Sequence, residues 1–136
     1  MRAEVKALAL HRLARARQAF AEGEQLLATG GVMGATNRFY YAAFYAARTL
    51  LGTRHADSSK PGGVISLFQK HFVKTSLVEV DTARTLARAF EKRQKTDYGD
   101  FATVTAEEVR EIRSEVQVFV EECTRVLDRL VVESDA

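Results

Sequence analysis

The sequence predicts an all-α protein, an antiparallel four-helix bundle with one additional short helix. Apolar residues recur at spacings of three and four over long segments, which is the period of a helix buried on one side. The strong helix formers Ala, Leu, Arg and Glu are abundant, and Pro61 is the only proline. No alternating apolar and polar run is long enough to predict a sheet. We expect one domain over 1–136.

The first predicted helix spans 3–28 and ends at the Gly30-Gly31 pair, because glycine readily adopts the left-handed conformation that caps a helix. The second predicted helix spans 34–51. Its middle, 39–47, is apolar or aromatic on every side, which predicts burial on several faces, one of them against a second subunit. The apolar face of the first helix comprises Leu13, Ala16, Phe20, Gly23 and Leu27.

The middle of the chain predicts two further helices. A polar loop at 53–61 is followed by a short helix over 62–74, whose apolar residues lie on one side. A fourth helix is predicted from 78 to 95. The segment 96–101 is rich in turn-forming residues and predicts a connection.

The last helix is predicted to begin after Thr105 and to end near Val131. Thr105 and Glu108 have the spacing of a capping box. An apolar stripe with spacings of three and four follows, and Cys123 lies on it, which predicts a small buried residue and not a nucleophile. The tail 132–136 is expected to fray.

Charge is divided along the chain although the net charge is only +2. The segment 38–95 contains eleven Lys and Arg against four Asp and Glu, and 96–136 contains four against eleven. A basic middle segment suits an anionic partner such as nucleic acid. Alternatively, the basic and acidic helices face each other or solvent. Both interpretations remain open from the sequence.

Several classes of function are excluded by residue usage. The single cysteine cannot form an intramolecular disulfide, and no Cys cluster could hold zinc. His11, His55 and His71 are far apart and lack the spacing of metal ligands, so we expect no metal and no cofactor. The charged N-terminus and the lack of a long apolar run predict no membrane span and a cytoplasmic location.

Arg93, Asp97 and Tyr98 form the most unusual group of side chains for chemistry. Arginine can hold a phosphate with two parallel hydrogen bonds, or can pair with Asp97. The Tyr98 hydroxyl could form a hydrogen bond, stack on a base or be modified. The alternative is a structural clasp in which Arg93 and Asp97 only fix the helix end. The second helix has the same ambiguity, because its tyrosines could stack on bases or belong to a core or a dimer interface.

Three motifs now identify a resemblance. Residues 37–51 read NRFYYAAFYAARTLL, 60–68 read KPGGVISLF, and 93–98 read RQKTDY. In this order they resemble the R-x-YYA-x-F-x-A-A-x-LL, K-H-x-G-V-I-x-x-F and R-x-x-x-D-Y signatures of the HEPN domain family. The resemblance implies an antiparallel bundle of four main helices plus a short one, and a homodimer. It also implies a neighbouring minimal nucleotidyltransferase that forms a toxin–antitoxin pair with the protein and, in some pairs, adds AMP to a tyrosine.

Many HEPN proteins are metal-independent ribonucleases in which an arginine and a histidine, spaced R-x4–6-H, meet at the dimer interface. No histidine follows Arg93 in this chain, and Pro61 replaces the histidine of the second motif. Arg93 could stabilise developing charge, but no obvious group moves a proton. We therefore expect a non-catalytic dimeric module that binds a nucleotidyltransferase partner, a nucleotide or RNA. The predicted contacts are Arg93, Asp97, Tyr98, Lys60, Arg38 and Tyr41.

Two alternatives stay open. One is a ribonuclease toxin that uses Arg93 with an atypical second group, Tyr98 or His71. The other is a structural adaptor in which Arg93, Asp97 and Tyr98 only lock the bundle.

Overall fold

A computed structural model describes residues 1–98 and 103–135, and in these ranges the chain forms five α-helices and no strand. This confirms the all-α class. The helices are α1 (Ala3–Ala28), α2 (Val32–Thr53), α3 (Pro61–Phe68), α4 (Val80–Tyr98) and α5 (Ala106–Asp135).

Helices α1 and α2 form an antiparallel hairpin. Arg15 of α1 contacts Tyr45 of α2, and two turns further along α1, Glu22 contacts Arg38, two turns earlier in α2. The turn between the helices is the predicted glycine pair. Its Gly30 has a φ of 84°, a conformation that glycine adopts without steric cost. The first two helices therefore lie side by side over most of their length.

Helices α4 and α5 are also antiparallel, and ion pairs join them. Arg88 contacts Glu115 at 3.0 Å, and Lys92, one turn later, contacts Glu108 at 2.6 Å. On this side of the bundle the basic segment faces the acidic one, as the second interpretation of the charge division predicted.

Helix α2 supplies the centre of the core and packs against α1, α4 and α5. Phe39, Tyr40, Leu50 and Leu51 are each at most 1% exposed. This confirms the predicted burial of α2 on several faces. Among the described residues, none of the helices combines the length and the apolar character that a membrane span requires.

The short helix predicted over 62–74 has two parts. It begins at Pro61, which suits the first turn because that position needs no N–H donor. After Phe68 the chain continues as a π-helical turn, Gln69–Val73, which buries the adjacent residues Phe72 and Val73. A uniform α-helix was the wrong prediction here, because apolar spacing does not reveal a widened turn.

Helix α4 continues past the predicted end at 95. The helix extends to Tyr98. In this last turn the Thr96 hydroxyl donates to the carbonyl of Arg93 at 2.8 Å, and Asp97 pairs with Arg93 one turn earlier. The predicted turn was therefore wrong for 96–98, and its remainder, 99–101, lies outside the described residues.

The capping box that begins α5 is confirmed. The Glu108 amide donates to the Thr105 hydroxyl at 3.1 Å, and the Thr105 amide donates to the Glu108 carboxylate at 3.5 Å. At the other end the helix passes the predicted end and continues to Asp135. The tail that was expected to fray is therefore helical through Asp135. The amino group of Met1 contacts it, at 2.9 Å from the Ser134 hydroxyl and 3.0 Å from the Asp135 carboxylate.

Candidate functional site

Arg93 lies where α4 faces α2, and its guanidinium rests on two tyrosine rings. Its central carbon is 4.9 Å from the ring centroid of Tyr40 and 5.3 Å from that of Tyr41. A cation over an aromatic face is attracted by the negative charge of that face. The side chain is 20% exposed, so the charge is largely withdrawn from water without being sealed from it.

Within the described residues, Arg93 forms an ion pair with Asp97. Its Oδ2 lies 3.2 Å from Nε of Arg93. The distance is that of an ion pair, but the N–H does not point at the oxygen, and Nε is buried without a hydrogen-bond acceptor among the described residues. An unsatisfied buried donor costs about 1–3 kcal/mol. Nε itself is closed to an added ligand, so an anion that approached Arg93 would meet the exposed part of the side chain.

Tyr40 supports Arg93 but is not suited to move a proton. Burial raises the pKa of its phenol to about 12, and the positive charge of Arg93 opposes that rise only in part. A general base works best with a pKa near the pH of the reaction. Tyr40 therefore stays protonated and acts as a platform.

A second guanidinium shares the ring of Tyr41. The central carbon of Arg38 lies 5.0 Å from the Tyr41 centroid. Arg38 also pairs with Glu22 of α1 at 3.3 Å and donates to the amide oxygen of Asn37 at 3.3 Å. Tyr41 thus connects an arginine of α2 with Arg93 of α4, and we call Arg93, Asp97, Arg38 and Tyr41 the arginine–tyrosine cluster.

An open groove of ≈ 720 Å³ adjoins this cluster between α1 and α2. At the end away from Arg38, Arg15 donates to the Tyr45 hydroxyl at 3.0 Å, and its central carbon lies 4.9 Å from the Tyr45 centroid. Tyr41 and Tyr45 are one turn apart, with ring centroids separated by 6.1 Å. The groove is lined by Arg15, Gln18, Ala19, Glu22, Asn37, Arg38, Tyr41 and Tyr45.

Asp57 anchors the loop before α3 to the first two helices. Arg48 donates to its carboxylate through Nε and Nη2, both at 3.0 Å, and Arg12 donates at 2.7 Å. These hydrogen bonds lower the pKa of Asp57 to about 2. Lys60 lies three residues further on, exposed at the N-cap of α3, where its backbone bonds to Ser58.

The structure brings together four of the six residues predicted from the motifs. Arg93, Asp97, Arg38 and Tyr41 form the cluster, whereas the described contacts of Lys60 are local to its own loop. The backbone of Tyr98 ends α4, but its side chain lies outside the described residues. A ligand-binding role for all six stays a prediction.

No described contact joins Arg93 to His71, one of the two groups considered as an atypical catalytic partner. His71 lies half-buried in the π-helical turn. Cys123 is buried in the core as predicted, and burial raises the pKa of its thiol. Among the described residues, no group of three or more His, Cys, Asp or Glu side chains is placed to hold a metal ion.

Sequence reasoning missed how α1 completes the site. Arg38, Tyr41, Tyr45 and Arg48 follow one another at spacings of three, four and three, so they form one stripe along α2. That spacing in the sequence could have predicted a half-buried stripe of arginines and tyrosines on one side of α2. The partner residues on α1 could not be found in this way, because they depend on the register between two helices.

Sequence comparison with known proteins places this chain in a family. The sequence model of the HEPN domain matches residues 9–127. A UPF0332 protein of Thermotoga maritima is 31% identical over 116 residues, which cover 85% of this chain and 88% of that protein. A protein of Methanocaldococcus jannaschii named a candidate toxin is 32% identical over 97 residues, covering 71% of this chain and 72% of its own length. A second protein of the same organism, also named a candidate toxin, is 29% identical over 93 residues, which cover 68% of this chain and 63% of that protein. The resemblance and the predicted fold are confirmed, and this chain belongs to the HEPN domain family.

Proposed function

We propose that this protein is a non-catalytic HEPN module that binds phosphate groups of a nucleotide or of RNA at the arginine–tyrosine cluster. One observation carries the proposal: the Arg93 guanidinium is fixed on two tyrosine rings, and its side chain is still 20% exposed, so that a phosphate can reach it. Guanidinium groups bind phosphate through paired charge-assisted hydrogen bonds. Holding the group in place beforehand reduces the entropy lost on binding.

The non-catalytic part of the proposal rests on the missing proton carrier. RNA cleavage without a metal needs a group that takes up and returns protons. No histidine follows Arg93 in the sequence, and the Tyr40 phenol, with its pKa of about 12, remains protonated. Arg93 then binds and orients a phosphate without acting on it.

The proposed assembly is a cytoplasmic homodimer paired with a minimal nucleotidyltransferase. HEPN membership supports this arrangement, because dimers and such partners are what the family resemblance implies. Tyr41 and Tyr45 are only half-buried in the single chain, which leaves part of the aromatic edge of α2 open to a ligand or a partner. The dimer is proposed from the family and not from a contact within the chain.

Co-purification from the native host tests the proposal. Tagged wild-type protein should carry nucleic acid or nucleotide, measured after extraction, together with a nucleotidyltransferase identified by mass spectrometry. Arg93→Ala should lose the ligand and keep the nucleotidyltransferase. The matched control is Arg84→Ala, since Arg84 lies on the same helix, is exposed and pairs only with Asp81 in the described contacts. Ligand retained by Arg93→Ala, or a lower melting temperature with unchanged binding, would show that Arg93 is a structural clasp.

A ribonuclease toxin is the second candidate, and the names of the two M. jannaschii relatives favour it. In this case Arg93 stabilises developing charge, and Tyr98 or His71 moves the proton. Induced expression should then arrest growth, co-expression of the genomic neighbour should relieve the arrest, and Arg93→Ala should abolish it. Harmless expression of the wild type, or equal toxicity of Arg93→Ala, would reject this candidate.

A further inference from the structure

We infer that the groove between α1 and α2 is a second subsite, which holds a single strand of nucleic acid as it leaves the arginine–tyrosine cluster. The inference rests on the proposed function and extends it from one phosphate to a polynucleotide. Arg15 and Arg38, which rest on the rings of Tyr45 and Tyr41, would contact phosphates and stack on a base. Neither Arg15 nor Tyr45 belongs to the set of contacts predicted from the motifs.

Arg15 is positioned for an anion. Its guanidinium is held by the ring and hydroxyl of Tyr45. No carboxylate lies within ion-pair distance of it among residues 1–98 and 103–135. A guanidinium has five N–H donors, of which the described hydrogen bonds use one. Arg15 therefore keeps a full charge and most of its donors on the wall of the groove.

The other lining side chains suit a base. Arginine planes stack on bases in single-stranded sites, and the guanidinium groups of Arg15 and Arg38 are already held on the rings of Tyr45 and Tyr41. Gln18 and Asn37 contribute amides, which can both donate to and accept from the edge of a base. The volume, ≈ 720 Å³, lies within the range of about 300–1,000 Å³ that is usual for small-molecule sites. The groove is therefore large enough for a nucleotide unit.

Continuity with Arg93 favours a strand over an isolated nucleotide. Arg38 lines the groove and shares the Tyr41 ring with Arg93, their central carbons lying 5.0 and 5.3 Å from its centroid. Arg15 rests on the neighbouring ring of Tyr45, so phosphates bound at Arg93, Arg38 and Arg15 would follow one row of tyrosine rings. A polynucleotide supplies phosphates in such a row, and a mononucleotide does not.

Glu22 makes the inference sharply testable, because it is the one carboxylate among the described groove residues. It pairs with Arg38 at 3.3 Å, and both side chains are partly exposed. A phosphate that enters the groove must compete with Glu22 for Arg38 and is repelled by its charge. Removing that charge in Glu22→Gln should therefore strengthen binding, whereas most substitutions in a binding site weaken it.

The experiment is fluorescence anisotropy of a short fluorescein-labelled oligouridylate titrated with full-length wild type and variants at several salt concentrations. We expect Arg15→Ala to weaken binding about tenfold, and to reduce the slope of log K against log salt by about 0.7. Glu22→Gln should tighten binding several-fold. The control is Arg17→Ala, an exposed arginine of α1 outside the groove, which should bind like wild type.

The outcomes separate the two proposals. If Arg93→Ala abolishes binding while Arg15→Ala and Glu22→Gln bind like wild type, the groove inference is overturned and the Arg93 proposal stands. If the wild type binds no oligouridylate, the groove inference is overturned; if Arg93→Ala binds oligouridylate like wild type, the proposed function fails as well. Light scattering on the same samples identifies one further result. If Arg15→Ala or Glu22→Gln changes the mass of the dimer while RNA binding is unchanged, a second copy covers the groove and the inference is overturned.

Discussion

Replacing Gly23 by alanine tests whether α1 and α2 pack as closely as the groove between them requires. A Cβ atom at this position would lie 2.7 Å from Cε1 and 2.9 Å from Cδ1 of Phe39, closer than such atoms approach in folded proteins. The Phe39 ring is fully buried and packs on Phe20 with 5.3 Å between centroids, so it has little room to turn aside. The added methyl group must push α1 away from α2 or force the ring out of its rotamer.

The size of the effect follows from two opposing contributions. Overpacking a close-packed core costs about 1–3 kcal/mol. Alanine instead of glycine inside a helix contributes about 1 kcal/mol in the other direction. We therefore expect Gly23→Ala to lower the free energy of unfolding by about 1 kcal/mol, which for a chain of 136 residues is about 3–4 °C in Tm.

Urea denaturation followed by far-ultraviolet circular dichroism measures the difference. Gly62→Ala is the matched control, because Gly62 is exposed in the first turn of α3 and a Cβ there would meet no atom within 4 Å. This variant should be as stable as wild type or more stable by up to about 1 kcal/mol. If Gly23→Ala were stabilised like the control, the helices would be further apart than described and the reasoning would be refuted.

Three other changes test other parts of the fold. Asp57→Asn should cost about 1 kcal/mol at neutral pH, which is the effect of a pKa lowered from 3.8 to about 2 after discounting for its exposure. Because the folded-state pKa is lowered, this stabilisation is present above pH 3.8 and disappears as the pH falls towards 2, so wild type and variant should converge in acid denaturation profiles. Thr105→Ala should lower the free energy of unfolding by about 1 kcal/mol by opening the capping box, measured by thermal melting against wild type. Cys123 should resist alkylation in the native protein and react after unfolding in urea, as followed by mass spectrometry; rapid native labelling would contradict its burial.

The fold was largely predictable because local rules and tertiary packing agree in this chain. The 3–28 helix, its glycine stop and the Thr105 capping box follow from patterns within a few residues, and the structure has them at the expected positions. The π-helical turn and the extension of α4 through 96–98 were not predicted. Both depend on packing and on hydrogen bonds that compete with turn propensity, which single residues do not reveal.

The motifs predicted the part of the candidate site that α2 and α4 form, and not the part that α1 contributes. The motifs identified Arg93, Arg38 and Tyr41, which do converge, because the signature of the family already combines residues from different helices. The signature does not extend to Arg15, whose place beside Tyr45 depends on the register between α1 and α2. The described contacts of Lys60 are local to its own loop, and its predicted role as a ligand contact stays a prediction.

The concentration of tyrosines on α2 also gives the protein an intrinsic optical reporter. The chain has no tryptophan and four tyrosines, and three of these, Tyr40, Tyr41 and Tyr45, lie within 6.1 Å of a neighbouring tyrosine ring along one helix. Their near-ultraviolet absorption and emission are therefore not masked by indole, and excitation can migrate between the rings. Anything that moves the guanidinium groups resting on them should alter that signal. Ligand entry, partner docking and local opening of α2 can then be followed on unlabelled protein.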